Sequence, residues 1–352
     1  MRNRFGLHPG VGAALGAALL FGAGTPLAKL LLASTSPWLL AGLLYLGSGL
    51  GLTLLRLLRR SEPRAQLASG EWPWLVGAVL AGGVVGPVLL MWGLAGMPAS
   101  GAALLLNAEG LFTAVIAWVV FRENVDRRIF IGMVAIVAGA MVLSWPGQAQ
   151  ARIGDALPAL AVLGACLAWG IDNNLTRKVA LADAVWLASV KGLVAGGTNL
   201  VLALALGAVW PATPQVVGAL SLGLVAYGFS LVLFVVALRH LGTARTGAYF
   251  SVAPFVGALV AVLGLGESVT APLLIAGALM AIGVWLHLSE RHGHEHGHDA
   301  LEHEHEHEHD AHHQHAHDGT TAPAAHTHRH RHEPVSHVHA HFPDAHHQHR
   351  HH

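Results

Sequence analysis

The sequence predicts an all-α integral membrane protein: ten transmembrane helices arranged as two inverted five-helix repeats, followed by a disordered C-terminal tail. Three observations carry this prediction. Of 352 residues, 53% are hydrophobic and 11% charged, whereas soluble domains carry about 25% charged residues. Residues 94–145 recur at an offset of 144 as residues 238–289, so that Ala114 falls on Ala258, Glu123 on Glu267, Ile131 on Ile275 and Gly139 on Gly283. Finally, 24 of the 27 histidines lie between His292 and His352.

Apolar runs long enough to cross about 30 Å of hydrocarbon occupy residues 11–33, 38–58, 72–95, 100–121 and 129–145, then 156–174, 182–210, 216–238, 246–265 and 271–288. Arg2 and Arg4 precede the first run. That run is too long for a signal peptide, so it reads as an uncleaved first helix. Basic residues set the orientation. Taking the amino terminus as cytoplasmic puts Arg2, Arg4, Arg56, Arg59, Arg60, Arg64, Arg122, Arg127, Arg128, Arg177, Lys178, Arg239, Arg245 and Arg291 on one side and only Arg152 on the other. Both termini are therefore expected in the cytoplasm and the chain in the cell (inner) membrane. Tryptophans 38, 72, 74, 145, 210 and 285 sit at run ends, where an amphipathic ring anchors at the headgroups.

Five helices is an odd number, so the second unit crosses in the opposite sense. The units are residues 11–145 and 154–288, with the tail at 291–352. Their first helices correspond at an offset of 148, where Phe21-Gly22 and Lys29 fall on Trp169-Gly170 and Arg177. The 42 glycines permit close helix approach. A net charge of zero supplies no basic surface for phosphate, which excludes nucleic acid as a partner. The single Cys166 lies in an apolar run, where a buried structural thiol is expected.

These features resemble the EamA-type branch of the drug/metabolite transporter superfamily: Phe121-Arg122-Glu123 and Leu265-Gly266-Glu267 closing the fourth and ninth helices, a late glycine in the helix after each, and the Phe-Gly or Trp-Gly step in each first helix. The resemblance spans residues 11–288. It implies secondary transport of small organic molecules and says little about which. Where that family often has a proline in the fourth helix this chain has Gly110, while the ninth keeps Pro254.

Ionisable groups inside membrane helices mark functional candidates, because burying them costs free energy unless they are paired or wetted. Glu109, nine residues past Ser100, falls about 14 Å along its helix at 1.5 Å per residue. Asn107 is near it and Thr113 shares its face. Lys191 sits at comparable depth in the seventh helix, on one face with Thr198 and close to Asn199. Asp172 and Asn173 precede Arg177 in the sixth, with Asp172 and Thr176 on one stripe. Lys29 follows Gly24-Thr25-Pro26, where a broken hydrogen-bond ladder would expose carbonyls. The plainer alternatives are a structural ion pair for Glu109, snorkelling for Lys191 and Lys29, and interhelical hydrogen bonds for Asp172 to Asn174. Glu123 and Glu267 read as gate or loop pairs, and Trp92, Trp118 and Trp169 as packing residues.

The tail has too little apolar content to bury a core. It alternates Glu and His from Glu302 to His309. Imidazole suits Zn, Ni and Co, so His294, His296, His298, His303, His305, His307 and His309 are candidate ligands of exchangeable sites, none required as a cofactor. Low-complexity expansion and pH sensing are the alternatives. Three functions compete: an exporter of small organic metabolites or drugs, an exporter of divalent metal or metal chelate on the same fold, and a non-transporting metal buffer or sensor. Expected partners are a small-molecule substrate, the lipid bilayer, divalent ions at the tail and a second copy of the chain in a homodimer. No nucleophile–base pair or nucleotide loop points to an enzyme.

Overall fold

The structure, a computed structural model, describes residues 9–58, 67, 69–121, 127–144, 156–179, 183–234, 236–237, 246 and 249–288, and tail backbone at 293–298, 301–307, 326–332 and 335–340. Helices α1 (Pro9–Leu32), α2 (Pro37–Leu58), α3 (Trp72–Gly96), α4 (Ala99–Val120), α5 (Arg127–Ser144), α6 (Leu157–Thr176), α7 (Ala184–Ala205), α8 (Thr213–Phe234), α9 (Ala253–Leu265) and α10 (Ala271–Leu288) follow the apolar runs in order. Six of them (α1, α2, α3, α4, α7 and α8) are long and apolar enough to cross a membrane, with shorter apolar helices at Phe130–Ser144, Ala253–Leu265 and Ala271–Leu286.

Three departures from the expected runs have local causes. The seventh run shortens to Ala184–Ala205, because the Asp183 side chain accepts from the N–H groups of Val185 and Trp186 and so fixes the start. Gly207, at φ 81°, turns the chain out just past the other end. The fourth run is interrupted by a turn at Leu106 and Asn107, and α9 likewise begins after a turn at Ser251 and Val252. Both α3 and α8 widen into π-helix midway, at Val79–Val85 and Gly223–Phe229, which are the same seven places at the 144-residue offset.

Several helix pairings recur when the two halves are exchanged. Helix α3 lies against α6 as α8 lies against α1; α4 against α6 as α9 against α1; α3 against α7 as α8 against α2; and α2·α7, α4·α9 and α5·α10 pair across the halves. Repeated glycines make close approaches. Gly139 of α5 meets the Ala276 carbonyl oxygen and Gly283 of α10 meets that of Gly132, each leaving no room for a Cβ. Gly22 faces Ala253 across α1·α9, and Gly170 faces Phe112 and Thr113 across α6·α4. The Phe-Gly and Trp-Gly steps thus do the same work: a small residue lets each unit's first helix close on the other unit's broken helix.

The tail, expected to be unstructured, is described only as short backbone segments. Its described backbone forms strands β1 (Gly293–His298), β2 (Leu301–His307), β3 (His326–His332) and β4 (Val335–Ala340), paired antiparallel as β1·β4 and β2·β3. Glu-His alternation has the strand period of two, and the register sets Glu302 opposite Arg331 and Glu304 opposite Arg329.

Candidate functional site

Helix α6 turns Leu160, Leu167 and Ile171 outward. Asn173 lies two residues on from Ile171, about 200° round the helix, so its exposure is to the bundle interior. Successive residues therefore reach different neighbours. Asp172 points to α7, where Lys191 Nζ donates to both of its carboxylate oxygens at 2.6 and 2.7 Å. The Thr176 hydroxyl donates to Asp172 Oδ1 at 2.8 Å and accepts from Lys191 at 3.3 Å. Asn173 points to α4, donating to Glu109 Oε1 at 2.9 Å and to Thr113 Oγ1 at 3.2 Å. Asn174 donates to the Thr113 carbonyl at 3.2 Å.

Two acids thus lie within electrostatic reach of each other and of one lysine, and the lysine is committed to Asp172. Glu109 keeps an amide partner, and no cation among the described residues forms an ion pair with it. It is half-buried on the interior side of α4. Lys191 is accordingly a partner of Asp172 and does not pair with Glu109. Asn107, expected beside Glu109, is buried elsewhere: it donates to the Leu104 carbonyl at 2.8 Å and faces the Met280 sulfur at 3.9 Å.

Tyr45 and the Gly82-Gly83 pair, which the sequence did not single out, join Trp169 and Asn199 in supporting this cluster from below. In the π segment of α3 the Gly86 N–H bonds back to Ala81, and Pro87 has no N–H to offer either Gly82 or Gly83. Two carbonyls are left over. Tyr45 Oη and Trp169 Nε1 both donate to the Gly82 carbonyl, each at 2.9 Å, and Asn199 Nδ2 donates to that of Gly83 at 3.0 Å. The absent Cβ of Gly82 is what lets the Asp172 carboxylate lie against this segment. Trp169 is therefore more than packing, whereas Trp92 and Trp118 face outward. A Gly-Gly pair four and five residues ahead of a proline was the available signal. An aromatic chain continues from Tyr45, through Tyr227 (5.7 Å) and Phe21 (5.8 Å) to Phe250 (5.4 Å).

A second charged arrangement closes one end of the bundle. Helix α1 runs unbroken through Pro26, so Lys29 meets no opened ladder in its own helix. Its Nζ caps the end of α3 instead, donating to the carbonyls of Leu94, Ala95 and Met97 at 2.5, 3.2 and 3.0 Å. Glu267, just past α9, accepts from the N–H groups of Ala99 and Ser100 at 2.7 and 2.9 Å and so caps α4. Burial works to raise the Glu267 carboxyl, but hydrogen bonds from Ser100 and Ala99 and the charge of Lys29 outweigh it and hold it below its ordinary value. An open cleft of about 470 Å³ lies here, between Lys29, Met97, Glu267 and Thr270. It is at the helix ends and separate from the Glu109 cluster.

Cys166 is buried, as expected. Among the described residues no three His, Cys, Asp or Glu side chains gather to hold a metal. Glu123, the side chain of Arg177 and the tail histidine side chains, His294, His296, His298, His303, His305, His307 and His309, lie outside the described residues.

A solved crystal structure aligns over 79% of this chain and 95% of its own at a TM-score of 0.58 and 18% identity, a likeness of fold. An uncharacterized transporter of Methanothermobacter thermautotrophicus is 27% identical over 285 residues, covering 77% of this chain and 83% of that protein. Residues 8–145, which supply Glu109, Lys29 and the π segment of α3, match the EamA-like transporter family, and with its apolar helices the chain is a multi-pass membrane protein that carries an EamA-like domain over those residues.

Proposed function

We propose that the chain is a secondary transporter that exports small organic metabolites or drugs by alternating access, its ten helices acting as two inverted five-helix repeats with the site between them. The observation that carries this is the committed Asp172–Lys191 pair beside a carboxylate, Glu109, held among the described residues by Asn173 alone. A carboxylate in that setting can exchange a proton or take a cationic group of the substrate, and the neighbouring pair keeps the local charge otherwise balanced. In this reading the termini are cytoplasmic, a homodimer is the assembly, and the tail buffers or senses Zn, Ni or Co without being needed for transport.

Reconstitution tests it. Liposomes carrying the protein and an internal pH dye are challenged with small-metabolite mixtures; at least one compound drives proton flux, and Glu109→Gln abolishes that flux. Undiminished flux in the variant overturns the role of Glu109. The tail alone favours a second reading, export of a divalent metal. The same liposomes loaded with a Zn²⁺ dye discriminate it.

A further inference from the structure

The two π segments occupy matching places but are held differently. In each, the last π hydrogen bond is made by the residue after the segment, Gly86 to Ala81 and Ser230 to Val225. The return from π to α register then skips one carbonyl, that of Gly82 in α3 and that of Ala226 in α8. The first is caught by Tyr45 and Trp169, with Asn199 on the adjacent Gly83. At the offset of 148 that relates the first helices of the two halves, the positions corresponding to these three are Phe21 for Trp169, Leu193 for Tyr45 and Gly51 for Asn199. None of those side chains has a hydrogen to donate. Leu231 replaces Pro87, so an N–H remains beside the segment in α8 that α3 lacks.

An N–H that can bond either of two carbonyls, next to a carbonyl with no side-chain donor among the described residues, allows the π turn to shift along the helix at little cost. A segment whose two spare carbonyls are fixed by three side chains from α2, α6 and α7 cannot shift without breaking all three bonds. We propose that the π segment of α8 is the hinge of the conformational change and that its counterpart in α3 is pinned by Tyr45, Trp169 and Asn199. The moving part is then α8 with α9, which carries Glu267 away from the α4 terminus, while α3 keeps the Asp172–Lys191 pair in place. The inference rests on the transporter reading for the use made of the hinge. The hinge itself is tested without any substrate, so either can fail alone.

Amide hydrogen exchange of the full chain in lipid nanodiscs decides it, because exchange reports local opening and one hydrogen bond to a buried carbonyl shifts that opening by about tenfold. Amides 227–230 should exchange roughly tenfold faster than amides 83–86. Tyr45→Phe with Trp169→Phe should raise exchange at 83–86 toward the α8 rate and leave 227–230 unchanged. Phe21→Trp, which offers α8 the indole N–H that α3 enjoys, should slow 227–230. Equal rates in the unmodified chain, or a folded double variant with unchanged exchange at 83–86, overturns the proposal.

Discussion

Lys191 grips both carboxylate oxygens of Asp172, at 2.6 and 2.7 Å, from the next helix in the chain. Removing one partner leaves a charge without its counter-ion in the bundle. Asp172→Asn or Lys191→Met should lower stability by roughly 3 kcal/mol, the low end for a buried pair because the Lys191 side chain is 19% exposed. The double variant should recover most of the loss. Thermal unfolding of the four proteins in one detergent measures the coupling, and additive losses would show that the pair does not act as a unit.

The close helix approaches make glycine substitutions unequal. A Cβ on Gly223 meets the carbonyl oxygen of Leu44, backbone that cannot step aside, whereas one on Gly197 meets nothing within 4 Å. Gly223→Ala should therefore cost about 1–3 kcal/mol by forcing α2 and α8 apart. Gly197→Ala should be neutral or stabilising by up to about 1 kcal/mol, since alanine is the better helix former. The same unfolding assay ranks them.

The Glu267 cap carries a pH signature. Its folded carboxyl lies below its ordinary value of 4.5, so the ionised form is the one the fold prefers. Its contribution is present in full above about pH 4.5 and is lost as pH falls through the lowered folded value. The stability gap between the unmodified chain and Glu267→Gln should be constant from neutral pH down to about 5 and close below 4. A gap that instead widens on acidification would mean that the carboxyl, not the carboxylate, caps α4.

For the tail, removing residues 292–352 should abolish Zn²⁺ and Ni²⁺ uptake by the purified protein in isothermal titration and leave export unchanged. Uptake should also weaken below about pH 6.5 as protons compete for imidazole. Heat of binding that survives the deletion would place the metal in the helical part.

The helices were legible because apolar length and an internal repeat are properties of composition and order. Glu109 stood out because it breaks that repeat, with Ala253 at the matching place. Partners were harder to see. Lys191 could be placed at depth but not assigned to Asp172 in preference to Glu109, since both acids lie within reach and only helix rotation chooses. Nothing near Lys29 in the chain points to its partners, which are 65 to 68 residues away. The π segments left a trace in α3, where Pro87 strands the Gly82 and Gly83 carbonyls, and none in α8, which has no proline; there only the repeat points to it.

The most direct test of the central claim is the profile of small metabolites released into the medium by three strains: one with the native chain, one with Glu109→Gln at equal membrane abundance, and one without the gene. The account predicts at least one organic compound that the native strain releases and the other two retain. A Glu109→Gln strain that releases it like the native one contradicts the assignment of Glu109, and identical profiles in native and gene-less strains contradict export altogether.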